Sequence, residues 1–302
     1  MKEFEVPICP IQPVWRYQDV VVDVLREDLN HPLIQGNKFR KLKYNLLEAK
    51  HQQKTSLLTF GGAYSNHILA VAAAGKAFGF STHGFIRGDE LASRPRNPTL
   101  RSAEQLGMKL EFVTREEYRA KGSASFIQKI KKNYPNAYIL PEGGTNELAV
   151  KGCEEILDER TRDYDFICVA VGTGGTISGI IRKSEAHQKV LGFPALKDSE
   201  FLKNEIAKFS YRKNYEFVNA YHFGGYAKNS AELVKFVSDF YTETGILIEP
   251  VYTGKLFFGL RDLLQNSFFA SKARILAVHT GGLQGVVGWN EKYGNLNNLI
   301  KR

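Results

Sequence analysis

Apolar, β-rich runs alternate along the whole chain with stretches of helical periodicity. Residues 20–25, 57–60, 82–86, 109–113, 137–140, 166–171, 190–193, 216–220 and 275–279 read as strands. Helical spacing fits 38–50, 67–78, 98–106, 123–132, 147–160, 177–186, 230–244 and 255–265. Alternation of this kind predicts crossover helices and mostly parallel sheets. Nine strands in 302 residues predict an α/β fold of two open twisted domains with a cleft between them. No linker marks a clean boundary, so the domains are expected to be interleaved. The expected division is a large domain of 1–46 plus 146–302 and a small one of 47–145.

Composition narrows the class. Hydrophobic residues are 43% and charged residues 24%, the balance of a globular protein. The longest apolar run, 68–74, is too short to span a bilayer, so no membrane partner is expected. Met1-Lys2-Glu3-Phe4-Glu5 has no apolar stretch, so no signal peptide is expected and the compartment reads as cytoplasmic. Cys9, Cys153 and Cys168 are odd in number and widely spaced, which predicts reduced thiols and no metal site. The net charge of +9 comes from basic residues dispersed among acids, with no basic stripe interleaved with aromatics. No nucleic-acid partner is expected from it.

Chemistry concentrates at strand-to-helix junctions. In Gly36-Asn37-Lys38-Phe39-Arg40-Lys41, Phe39, Leu42, Leu46 and Leu47 share an apolar face, and Lys38, Lys41, Asn45 and Glu48 share another. Asn37 reads as the N-cap, which puts Lys38 in the first turn. The helix dipole and neighbouring cations both disfavour an ammonium there, so Lys38 is a candidate Schiff-base former and Lys41 its rival. Periodicity does not choose between them.

A second junction runs Leu58-Thr59-Phe60-Gly61-Gly62-Ala63-Tyr64-Ser65-Asn66-His67. Paired glycines permit a tight turn, and Ser65 or Asn66 would cap a helix whose free N–H groups suit a carboxylate. The third junction is the most specific. A buried-strand run, 166–171, leads into Gly172-Thr173-Gly174-Gly175-Thr176 and then a helix. Strand, glycine loop and helix together cradle phosphate. It is not a dinucleotide fingerprint, because Ile177 stands where a third glycine is needed, and no Gly-Lys-Ser/Thr follows as in a P-loop. Val251-Tyr252-Thr253-Gly254-Lys255, Val278-His279-Thr280-Gly281-Gly282 and Tyr226 are further loop segments. An amine, a single-phosphate cradle, a carboxylate site and a strand-end hydroxyl together suggest pyridoxal 5′-phosphate.

At these residues the chain resembles the 1-aminocyclopropane-1-carboxylate deaminase / D-cysteine desulfhydrase family, of the tryptophan-synthase-β fold type (fold type II). The likeness spans nearly the whole length. It is carried by Arg26-Glu27-Asp28-Leu29, Gly36-Asn37-Lys38-Phe39-Arg40-Lys41-Leu42, Ser65-Asn66-His67, Gly172-Thr173-Gly174-Gly175-Thr176, Tyr252-Thr253-Gly254-Lys255 and His279-Thr280-Gly281-Gly282.

The resemblance implies a small amino-acid substrate and a homodimer. It assigns the cofactor amine to Lys38 over Lys41. It implies that Asn66 meets the ring hydroxyl, that Ser65 lies against the cofactor face, and that residues 172–176 and Thr280 bind the cofactor. Ser65, Asn66, His67 and Thr253 are implied at the substrate, with Lys38, Ser65, Tyr252 and Tyr226 in the chemistry. Cyclopropane deaminases follow the tyrosine with Glu and place Leu before the final Gly-Gly. This chain has Thr253 and Thr280, as the desulfhydrases do, so β-elimination of D-cysteine is expected. Deamination of 1-aminocyclopropane-1-carboxylate, D-serine dehydration or racemisation, and a non-catalytic binding homologue are the alternatives. Leu283-Gln284-Gly285 stands where members carry Pro-Ala, and the Tyr226 segment lacks their Tyr-Gly pair.

Overall fold

The apolar runs build two sheets in the computed structural model, which describes residues 4–293. Residues 1–3 and 294–302, the outer limits of the large domain and part of the leader reading, lie outside the described residues. In chain order the elements are β1 (Ile11–Tyr17), β2 (Val20–Leu25), α1 (Asn37–His51), β3 (Ser56–Gly61), α2 (Asn66–Phe78), β4 (Ser81–Arg87), α3 (Pro98–Gln105) and β5 (Met108–Val113). There follow α4 (Arg115–Arg119), α5 (Ala124–Asn133), β6 (Ala137–Ile139), α6 (Glu147–Glu154), β7 (Phe166–Val171), α7 (Gly175–Lys183) and β8 (Lys189–Pro194). The chain continues through α8 (Phe201–Ala207), β9 (Tyr215–Phe217), α9 (Ala231–Thr244), α10 (Thr253–Gln265), β10 (Arg274–Val278) and α11 (Gln284–Tyr293).

The larger sheet has the order β1-β2-β10-β7-β8-β9, and the smaller β5-β4-β3-β6. Every pairing is parallel except β1 with β2. Helices cover both faces of the larger sheet, which is why β7 is apolar throughout. Cys168 and Ala170 of β7 pack with α9 and α10, whereas Ile167, Val169 and Val171 pack with α6, α7 and α8. In the smaller sheet, Leu57 packs with α1, α2 and α3, and Leu58 and Phe60 pack on the opposite face with Ile130 of α5. The boundary expected at 46/47 falls within α1, whose Phe39, Leu42 and Leu46 lie in the smaller sheet's core. On its other side α1 touches α6 so closely that a Cβ on Gly152 would stand 1.9 Å from the Arg40 carbonyl oxygen.

Three expectations need correction. The described residues hold ten strands: β1 is the missed one, an edge strand with a register shift between Pro13 and Trp15. The helix expected over 147–160 ends at Glu154, with a separate 3₁₀ turn at Glu159–Thr161 that Asp158 caps. The strand expected over 216–220 is only Tyr215–Phe217, because Asn219–Tyr221 turns away as 3₁₀. Among the described residues no helix is long and apolar enough to cross a membrane, and no group of three or more His, Cys, Asp or Glu side chains could hold a metal.

Candidate active site

The carboxyl ends of β2, β3, β6, β7 and β10 deliver the loops that carry the predicted chemistry, as open α/β sheets do. The start of α1 is set by Gly36. Its φ is +68°, and an added Cβ would stand 1.9 Å from the Thr280 carbonyl oxygen. Buried Asn30 clamps it from both sides: Gly36 N donates to Asn30 Oδ1 and Asn30 Nδ2 donates to Gly36 O, each at 2.9 Å. Asn37 N donates to Thr280 O at 3.2 Å, which closes the first helical turn onto the loop after β10. A buried Arg40–Glu27 pair (2.7 Å) braces the same segment.

Gly36, not Asn37, therefore occupies the N-cap position, and no side chain caps α1. The Asn37 side chain has another use. Its Nδ2 donates to Thr176 Oγ1 at 2.8 Å, and its Oδ1 accepts from Lys38 Nζ at 3.0 Å. Lys38 is thus tied through Asn37 to the glycine loop. It is half-buried, and burial followed by the Lys41 ammonium pulls its pKa down to about 7. Burial, not the helix dipole, is the leading cause.

Lys41 stands over the loop after β7. Its Nζ donates to Gly143 O at 2.9 Å, Thr145 Oγ1 at 3.0 Å and Thr173 Oγ1 at 3.4 Å, and burial lowers its pKa to about 8. Gly174 has φ +84° and precedes α7, whose first N–H groups have no carbonyl one turn earlier. A Cβ on Gly175 would stand 2.8 Å from Thr145 and 3.1 Å from Lys41 Nζ. A Cβ on Gly172 would press on the Tyr252 ring at 3.1 Å. Residues 172–176 therefore form a bare, positively charged cradle.

At the end of β3, Ser65 caps α2 and its Oγ accepts from Ile68 N at 3.3 Å. Asn66 lies beneath the loop after β10: a Cβ on Gly282 would be 3.0 Å from Asn66 Nδ2. His67 turns away from this face. Its Nε2 meets Thr59 Oγ1 at 2.9 Å, and that hydroxyl donates to Leu140 O at 3.1 Å. The histidine therefore carries its proton on Nε2. Burial and the charges of Lys38 and Lys41 hold its pKa well below the usual value, so it is neutral. Nδ1 is left as a lone pair beside Gly144.

Glu249 is the residue that sequence reasoning missed. Buried before α10, its carboxylate accepts from the N–H groups of Val251 (2.7 Å), Tyr252 (2.8 Å) and Thr253 (2.7 Å). Burial raises its pKa. The only sequence signal is an acid shortly before a helix start. Thr253 corrects an expectation. It is fully enclosed, and its hydroxyl is engaged with Glu249, accepting from the backbone N at 3.0 Å. It cannot touch a substrate and acts only by holding Glu249. Tyr252 and Tyr226 do come together, edge to face at 6.0 Å. Thr280 is buried at the end of β10, with a neutral hydroxyl.

Buried polar atoms without partners gather here. Among the described residues they belong to Gln35, Asn66, His67 and Gln284, with Asn214 elsewhere. Native interiors pair such atoms, so this cluster fits a polar molecule bound between the loops. A phosphate-bearing planar cofactor suits the cradle at 172–176, the partnerless Asn66 Oδ1 and the amine of Lys38.

A family model for pyridoxal-phosphate dependent enzymes matches residues 10–281. The chain belongs to that family. It is similar to a putative 1-aminocyclopropane-1-carboxylate deaminase of Thermotoga maritima, 32% identical over 87% of this chain and 89% of the relative. It is similar also to a mitochondrial bifunctional D-cysteine desulfhydrase/1-aminocyclopropane-1-carboxylate deaminase of Arabidopsis thaliana, 31% identical over 87% of this chain and 72% of the relative. A crystal structure of an ACC deaminase homologue superposes with TM-score 0.81 at 26% identity, covering 98% of this chain and 96% of that one. The protein is a pyridoxal-phosphate dependent enzyme, and its relatives carry these two activities in their names.

Proposed function

We propose that the enzyme is a lyase acting by β-elimination on D-cysteine or a β-substituted relative. One D-cysteine and one water would give pyruvate, ammonia and hydrogen sulfide. The observation that carries the choice is the state of Glu249. Its carboxylate is taken up by three backbone N–H groups and Thr253, which leaves the neutral Thr280 hydroxyl at the end of β10. A carboxylate at the cofactor's ring nitrogen would keep it protonated and strengthen electron withdrawal; a hydroxyl does so less. Loss of a thiolate tolerates the weaker sink, whereas opening a cyclopropane demands the stronger one.

When bound, pyridoxal phosphate supplies a conjugated ring that stabilises negative charge at the substrate's α-carbon. Lys38 would hold the cofactor through its amine, residues 172–176 with Lys41 would hold its phosphate, and Asn66 Oδ1 would accept from its ring hydroxyl. Ser65 and the start of α2 would orient the substrate carboxylate. Lys38, whose free amine has a pKa of about 7, would be matched to taking the α-proton near neutral pH. Tyr252 and Tyr226 would close the far side. His67 would support the Asn66 turn from behind, since its ring faces Thr59. A homodimer follows from the resemblance, and exposed Leu29 and Leu33 on one segment support it.

Release of pyruvate from D- and L-cysteine, D-serine and other β-substituted amino acids should be assayed beside 2-oxobutyrate release from 1-aminocyclopropane-1-carboxylate. D-cysteine is expected to be the best substrate. Turnover of the cyclopropane substrate alone would overturn the proposal.

A further inference from the structure

Lys255 has no part in the chemistry above, yet it is about 1% exposed and ends in a cage of backbone carbonyls. Its Nζ donates to Gly225 O at 2.7 Å, His222 O at 2.8 Å and Ala195 O at 3.4 Å. None of these carries a formal charge. Glu249 is the acid whose field reaches it, and that carboxylate is engaged at the start of α10. Burying an ammonium in this way is costly, and burial indeed lowers its pKa to about 8.

Two of these carbonyls, of His222 and Gly225, belong to a strained loop. Phe223, Gly224, Gly225 and Ala227 have φ of 51°, 88°, 116° and 55°. Side-chain-bearing residues disfavour that region, and a loop keeps it only where its surroundings impose it. Within the loop, Gly225 N donates to His222 O at 3.0 Å and Lys228 N to Gly225 O at 3.1 Å. Lys255 gives each of these two turn carbonyls a second hydrogen bond. The second of these turns carries Tyr226, whose ring meets Tyr252, and Tyr252 in turn lies over Gly172.

We infer that Lys255 is a positioning residue: it anchors the 222–228 loop to the end of β8 and so sets where Tyr226 stands against Tyr252 in the cleft. The inference rests on the reading of Tyr226 as part of the site.

Lys255→Met in the holoenzyme keeps the volume and removes the donor. Hydrogen exchange across 222–228 should quicken by at least about tenfold, since two charge-assisted hydrogen bonds to the loop are lost. The value of kcat should fall with it, while cofactor affinity and the cofactor's visible band persist. Adding Tyr226→Phe to Lys255→Met should then cost no further kcat. Unchanged exchange and kcat in Lys255→Met, or kcat losses that simply multiply in the double variant, would overturn the inference. Full activity in Tyr226→Phe alone would instead overturn the reading of Tyr226, and quickened exchange would still support Lys255 as the loop's anchor. Should Lys255→Met fail to fold, Gly225→Ala decides. It puts a Cβ at φ +116°, 3.6 Å from Lys197, and disturbs the loop and the carbonyl that Lys255 holds while leaving the lysine itself in place. It should lower kcat in the same way, and full activity would overturn the inference.

Discussion

At the scale of single residues, the site depends on where one amine stands and on what charge lies beside it. Gly36→Ala should be severe, because a Cβ at φ +68° would overlap the Thr280 carbonyl oxygen. Either α1 or the loop after β10 must shift. The expected cost is more than about 2 kcal/mol, with weakened cofactor retention, read by thermal melting and by the cofactor's visible absorbance. Lys38→Ala should lower turnover by at least about 10²–10⁴-fold and abolish borohydride-stable labelling. Lys41→Met is the more informative change. Lys41's positive charge is the second cause of the low Lys38 pKa, after burial. Removing it favours the protonated amine, so the Lys38 pKa should rise from about 7. The rate of cofactor capture by apoenzyme needs the neutral amine, so its pH midpoint should move upward. An unmoved midpoint would mean that Lys41 does not act on Lys38 electrostatically.

At the scale of elements, what was legible in the sequence follows from period and chemistry. The fully apolar run of β7 and the Gly172-to-Thr176 turn placed the strand–loop–helix junction, because a strand buried on both faces and a bare helix start each leave a strong local signature. A cap of α2 at Ser65 or Asn66 was legible for the same reason, and Ser65 is the one that caps. β1 was not, since Pro13 and half-exposed positions blur an edge strand's alternation. Nor was the start of α1, where Asn37 looks like a cap but long-range contacts from Asn30 and Thr280 make Gly36 the boundary. Glu249 escaped notice because it caps α10 from outside the usual cap position, across Pro250. That arrangement predicts the effect of Glu249→Gln. One carboxylate oxygen accepts from Tyr252 and Thr253, and the other accepts from Val251. An amide serves one side and sets its own N–H₂ against an N–H donor on the other. A loss of about 1–3 kcal/mol is expected, together with a drop in kcat as Tyr252 leaves its place over Gly172. A variant as stable and active as the parent would remove Glu249 from the account.

At the scale of the whole molecule, the buried lysines make stability depend on pH and on cofactor. Lys38, Lys41 and Lys255 have pKa values of about 7, 8 and 8 in the folded protein, against about 10.4 for an unfolded chain. Above pH 7 the folded state therefore binds fewer protons than the unfolded state, and the stability of the apoenzyme should rise with pH. Buried thiols oppose this at higher pH. Cys9 and Cys153 are pushed up to about 12 and 11, and Cys168 is raised as well. Unfolded thiols ionise from about pH 8.5, so beyond that the folded state holds protons that the unfolded state releases, and the rise slows until the thiols outweigh the lysines. Apoenzyme stability should thus pass through a maximum between about pH 9 and 10 in reducing buffer. Cofactor should act most on the lower limb, because it would engage Lys38 covalently and bring a phosphate to Lys41. Denaturant midpoints across pH 6.5 to 10, taken with and without pyridoxal phosphate, test this directly, over a range set by the values above. The holoenzyme should show a shallower rise from pH 7. An apoenzyme curve that is flat or falls between pH 7 and 8.5 would mean that the amine held at Asn37 is an ordinary ammonium, and the proposed base would be lost with it.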